Sequence, residues 1–177
     1  MKDISLKEYF KLIDTTDYDF VLQHLKPKNS FLGGEIDFNI LSYIDVVSCF
    51  HLMSSMRTKD DLERVFNIAY TVDGFEEAKL TDFFAAKNYL IKAFNDLDTK
   101  QKTLLKSIGH DADKWKQAGG EKLNKYSNLM PLVQLGEIYG VFPHDLQIKP
   151  YNEIFVLLVL HKEKGEVERD FNKLMQK

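Results

Sequence analysis

Apolar side chains recur along most of this chain at the three-to-four-residue spacing of helices buried on one side. Leu6, Tyr9, Phe10 and Ile13 follow the capping box Ser5-Leu6-Lys7-Glu8. A short helix is expected from Asp17 to Leu25, stopping before Pro27, and residues 26–34 (KPKNSFLGG) have loop chemistry. Residues 35–40 (EIDFNI) alternate polar and apolar, which allows one short β-hairpin near residues 35–41. Ser42-Tyr43-Ile44-Asp45 reads as a second capping box and opens a helix to about Ser55. Thr58-Lys59-Asp60-Asp61 reads as a third, opening a helix that buries Leu62, Val65, Phe66 and Ala69 and ends near Asp73-Gly74.

The stretch from about Leu80 to Ile108 contains no Gly or Pro, and Phe83, Leu90, Leu97 and Leu104 fall seven apart. The pattern predicts one long helix, or two broken near residues 96–98, with Gly109 as its stop. Gly119-Gly120 precede a helix holding Leu123, Tyr126, Leu129 and Leu132, which Pro131 kinks or restarts. Pro150 suits the start of a last helix, Tyr151 to about Met175. The expected fold is therefore all-α or mainly α, a compact multi-helix single domain over residues 1–177.

That last helix is apolar on nearly every side from Ile154 to Leu160, then turns charged from His161 to Asp170, with Gly165 as a hinge or bend between. Tyr151, Ile154, Phe155, Val156, Leu158, Val159 and Leu160 exceed what one flat core face covers. They form a candidate subunit interface, and the helix is expected to project or to dock on a partner.

Length and composition agree with this picture. A chain of 177 residues with 44% hydrophobic side chains, 13 Phe and 8 Tyr has ample core material. The longest apolar run, residues 154–160, is far short of the roughly 20 residues that span a bilayer, so no membrane partner is expected. The one cysteine, Cys49, sits in an apolar run and reads as a buried structural thiol in a cytoplasmic protein.

Net charge is −3 but uneven: residues 1–98 carry 11 basic and 17 acidic side chains, residues 99–126 carry 7 and 3. The basic segment sets Lys100, Lys102, Lys106, Lys114 and Lys116 around Trp115. Phosphate contact with aromatic stacking is one reading of it. The absence of an Arg fork and the acidic N-terminal half weigh against nucleic acid, and a solvated face is the simpler reading.

Catalytic signals are weaker still. His110-Asp111 and His144-Asp145 pair the residues that a helical metal-dependent hydrolase uses, and His51 offers a further ligand. Both pairs follow a Gly or Pro and read as turn or cap residues. No Walker loop, GxGxxG, HExxH or Cys-x-x-Cys occurs. No catalytic residue, metal ligand or cofactor site is assigned, and a non-enzymatic role is expected.

Two patches carry a family resemblance. Residues 38–70 (FNILSYIDVVSCFHLMSSMRTKDDLERVFNIAY) set a short strand, a helix with the pair Ile44-Asp45, a polar gap, and a helix ending in the apolar-aromatic stretch from Val65 to Tyr70. Residues 135–171 lead from a compact turn through a proline into an apolar helix with a charged end. Both resemble tailed-bacteriophage virion or tail-assembly proteins. The resemblance implies a structural or assembly role in the tail or neck, through contacts with other virion subunits or with copies of the chain itself, in the host cytoplasm during assembly or in the virion. The alternatives are a cytoplasmic regulatory or nucleic-acid-associated helical module, and a small helical hydrolase with a His/Asp metal site.

Overall fold

Three local capping devices fix where the helices begin. In the computed structural model, which describes residues 3–105 and 116–176, Ser5 Oγ accepts the Glu8 N–H at 3.2 Å and the Glu8 carboxylate takes the Ser5 N–H at 2.9 Å, starting α1, Leu6–Tyr9. After α2, Thr16–Leu22, Ser42 caps α3, Tyr43–Ser55; here Asp45 takes the Ser42 hydroxyl at 2.6 Å rather than its backbone N–H. Thr58 and Asp61 complete a reciprocal box at the start of α4, Lys59–Tyr70.

A 3₁₀ turn, Phe75–Glu77, leads into α5, Leu80–Leu104, which runs without a break through residues 96–98. The stop assigned to Gly109 lies outside the described residues. A second 3₁₀ segment, Gly120–Tyr126, stands where an α-helix is expected. Pro131 then sits in the first turn of α6, Met130–Tyr139, so the proline restarts the helix and does not kink it. Gly140 ends α6 in the left-handed region at φ 67°, a conformation that favours glycine. α7, Pro143–Gln147, and α8, Tyr151–Met175, complete the chain, with Pro150 as the N-cap residue of α8.

Among the described residues there is no β-strand, only isolated bridges such as Ser42 with Pro150. The hairpin expected near residues 35–41 is a run of turns. Asn29 uses its side-chain amide to bond both the N–H and the carbonyl of Ile36, taking the groups a partner strand would need. Asp37 Oδ1 then accepts the Asn39 N–H at 2.8 Å, and the Asp37 carbonyl accepts from Ile40 and Leu41. Local side-chain bonding of this kind outcompetes a ladder.

The core is one cluster with two aromatic centres. Phe31, Phe66, Phe75 and Phe83 meet at ring-centroid distances of 4.8–6.5 Å, from Phe31–Phe66 at 4.8 Å to Phe31–Phe83 at 6.5 Å. Phe38, Phe50, Phe94, Tyr43, Tyr151 and Phe155 form the other, with Tyr43 and Tyr151 stacked at 6.0 Å. α5 joins the centres, supplying Phe83 to the first and Phe94 to the second. α3 packs on α4 and on α8, and α6 packs on α7 and α8. The buried residues of α8 are Tyr151, Ile154 and Phe155, and residues 167–176 are exposed.

Candidate functional site

The two faces of α8 have opposite tasks. Tyr151, Ile154 and Phe155 are buried in this chain's own core, so they offer no surface to a second one. Leu158 and Val159 are half-buried against that core. Val156 and Leu160 point outward. Of the seven residues expected at an interface, these last two alone are exposed.

The outward row continues well beyond them. Val156 is 62% exposed, Leu160 52%, Val167 69%, Phe171 60% and Leu174 71%. At 3.6 residues per turn these five fall within about 60° of arc, on the side of α8 opposite Tyr151, Ile154 and Leu158. At 1.5 Å per residue the row is about 27 Å long. Lone exposed apolar side chains are ordinary; five aligned along one helix form a patch of the kind that marks contact surfaces. The spacing 156, 160, 167, 171, 174 was available in the sequence, but the charged run from His161 to Asp170 reads as a solvated tail and conceals it.

Those charges pair along the helix. Lys162 pairs with Glu166 at 3.3 Å, Lys164 with Glu168 at 3.7 Å and Lys173 with Asp170 at 3.3 Å, all within α8. They support the helix through the exposed span, and it continues through Gly165, which has open space where a Cβ would lie.

The described lysines of the predicted basic segment each have a neighbour within the chain. Lys100 Nζ lies 5.1 Å from the Phe155 ring centroid, Lys102 pairs with Asp98 at 2.6 Å, and Lys116 pairs with Glu121 at 3.4 Å. Lys106, Lys114 and Trp115 lie outside the described residues.

Two adjoining hollows, of about 460 and 570 Å³, lie between α3, α5, α6 and α8. The first is lined by His51, Asp98, Gln101 and Tyr151 among others. Gln101 Nε2 donates to the Tyr151 hydroxyl at 2.5 Å, and Asp98 is held by Lys102, so these groups brace helices. The second is lined by Pro131, Ile138, Leu158 and His161, and His161 Nε2 lies 2.9 Å from the Tyr139 hydroxyl.

His144 sits in α7 with its Nδ1 2.6 Å from Gln147 Nε2, and His110-Asp111 lies outside the described residues. Among the described residues, no three His, Cys, Asp or Glu side chains converge to hold a metal ion. Cys49 is fully buried, and desolvation, aided by the nearby Asp45 charge, pushes its thiol up to about 12. A thiol so held is not a nucleophile at neutral pH. Among the described residues no helix is long and apolar enough to cross a membrane.

No family model, no curated protein and no solved structure matches this chain.

Proposed function

We propose that this is a non-enzymatic protein that works through helix-mediated contacts with other proteins, a structural or assembly component of a tailed-bacteriophage tail or neck, as its two sequence patches imply. In this reading it acts in the host cytoplasm during assembly, or within the virion. The observation that carries the reading is the exposed row on α8. A helix that buries one face in its own domain and holds five large apolar side chains on the other is built for two contacts, of which the domain supplies one. Specific association places apolar side chains at the centre and charged ones at the rim, and the row, with the Lys164–Glu168 pair along one edge, has that anatomy.

The test is co-expression with the products of neighbouring genes in the source genome, followed by co-purification. Val167→Asp and Phe171→Asp, both in the exposed half of α8, are expected to abolish co-purification while leaving the circular dichroism spectrum unchanged. A partner retained by both variants would overturn the assignment of the row. Turnover of a metabolite or nucleic acid by the purified chain would overturn the non-enzymatic reading.

A further inference from the structure

We propose that the 460 Å³ hollow between α3, α5, α6 and α8 binds an uncharged aromatic molecule that carries a carbonyl oxygen, with the Tyr43 hydroxyl as its donor. This does not depend on the exposed row, which lies on the opposite side of α8.

Tyr43 carries the inference. It is 8% exposed and borders the hollow, and among the described residues its hydroxyl has no hydrogen-bond partner. A buried tyrosine hydroxyl ordinarily finds one, because leaving the bond unmade costs the desolvation of the group. The other two buried tyrosines follow that rule: the Tyr70 hydroxyl donates to the Ala86 carbonyl at 2.8 Å, and the Tyr151 hydroxyl accepts from Gln101 Nε2 at 2.5 Å. The Tyr43 oxygen is not sealed in, so a molecule in the hollow can reach it. Desolvation raises the pKa of Tyr43, so the group stays protonated and meets the hollow as a donor. The Tyr151 ring stacks 10° from parallel on that of Tyr43 and borders the same space. Its oxygen accepts the Gln101 bond, which leaves its own proton to give.

The remaining lining sets the chemical class. Phe50, Phe155, Leu158 and Pro131 join the two tyrosine rings as walls, which suits a flat apolar ring. Among the described lining residues there is no Lys or Arg, and the one carboxylate, Asp98, is held by Lys102 at 2.6 Å. An anion would meet Asp98 with no fixed cation facing it, and a cation would compete with Lys102, so either would give up its hydration for little return. Two hydroxyl donors beside aromatic walls match an acceptor oxygen on a neutral ring. The volume lies within the roughly 300–1,000 Å³ of small-molecule sites.

Acetophenone is the probe, with benzoate as its charged counterpart and toluene as the one without a carbonyl. Titrated into the isotope-labelled full chain, acetophenone is expected to bind with a dissociation constant on the order of millimolar, as befits so small a molecule. It should shift the NMR signals of the Gln101 and Asn128 side-chain amides and the His51 ring, all of which border the hollow. Benzoate is expected to shift none of them at the same concentration. Tyr43→Phe keeps the ring and removes the donor; it is expected to weaken acetophenone about fivefold and to leave toluene unchanged, the signature of one lost hydrogen bond. Equal weakening of both would overturn the role of the hydroxyl, and benzoate binding as tightly as acetophenone would overturn the uncharged class. Shifts confined to Val167, Phe171 and Leu174, or no saturable shift up to about 10 mM, would overturn the site itself. If Tyr43→Phe failed to fold, the native-chain titrations would decide: shifts at Gln101, Asn128 and His51 with acetophenone and none with benzoate uphold the proposal, and any other pattern sinks it.

Discussion

The Tyr70 hydroxyl, at the end of α4, donates a 2.8 Å hydrogen bond to the carbonyl oxygen of Ala86 in α5, both residues being buried. The bond closes the aromatic centre built on Phe66 and Phe83, because Tyr70 stacks on Phe66 at 5.6 Å. The Ala86 carbonyl also lies within a regular helix and keeps its in-helix donor if Tyr70 is shortened. Tyr70→Phe is therefore expected to cost about 1 kcal/mol, the net worth of one hydrogen bond without an orphaned partner, measured by urea unfolding.

Burial gives the protein an alkaline limit. Desolvation raises the hydroxyl pKa of Tyr43 and Tyr70, and pushes Tyr151 up to about 12. The unfolded chain ionises near the ordinary tyrosine value of about 10 while the folded chain holds its protons, so the folded state binds more protons there and stability falls as pH rises. The buried Cys49 thiol acts with the same sign. Stability by chemical denaturation is expected to be flat across neutral pH with respect to these groups, to decline from about pH 8.5 as the unfolded thiol ionises, and to fall more steeply from about pH 10 as the unfolded tyrosines do. Replacing Tyr43 by Phe should reduce the slope, and an unaltered slope would detach Tyr43 from it.

Cys49 permits an independent check on the core. It is fully buried between α3 and α4, with its Sγ 3.9 Å from the Val65 carbonyl. A thiol reagent is expected to leave the native protein untouched at neutral pH and to modify one thiol per chain in denaturant. Rapid labelling of the native state would mean that α3 and α4 separate readily.

Much of this fold was legible because it is written locally. The Ser5, Ser42 and Thr58 caps depend on residues three apart, and they set the starts of α1, α3 and α4 at the expected places. α8 spans the expected residues because its proline and its apolar run need no distant information. The hairpin failed because the alternation of residues 35–40 carries no sign of Asn29, whose amide takes the Ile36 backbone groups. The outward row was only half legible. Which of Ile154 to Leu160 face the core depends on where α3 and α6 pack, and no pattern within α8 states that. Its distal half, Val167, Phe171 and Leu174, was present at helical spacing but diluted by charge.

Two glycines should respond in opposite directions. A Cβ on Gly34 would overlap the Tyr70 carbonyl oxygen and sit 2.7 Å from Val72 Cγ1, so the nearest clash is with backbone and not with a flexible side-chain end. Gly34→Ala is expected to destabilise by several kcal/mol, on the order of an overpacked core site. A Cβ on Gly165 would meet nothing within 4 Å, inside a continuous helix. Gly165→Ala should therefore stabilise by up to about 1 kcal/mol. A loss of stability instead would restore the hinge expected from the sequence.

Neighbouring residues Phe155 and Val156 separate the two faces of α8 in one experiment. Phe155 is 3% exposed, stacks on Tyr151 at 5.9 Å and lies beneath Lys100. Phe155→Ala opens a cavity at the second aromatic centre and should cost about 3–5 kcal/mol. Val156, one residue on and rotated by about 100°, faces outward, and Val156→Asp should change unfolding free energy by no more than about 0.5 kcal/mol. The effect of Val156→Asp belongs instead to association, which sedimentation at matched concentrations reads. Should Val156→Asp unfold the domain, its side chain would belong to the core and the outward row would lose its first member. Should it leave both stability and association unchanged, while Phe171→Asp weakens association, the contact would begin further along α8 than Val156.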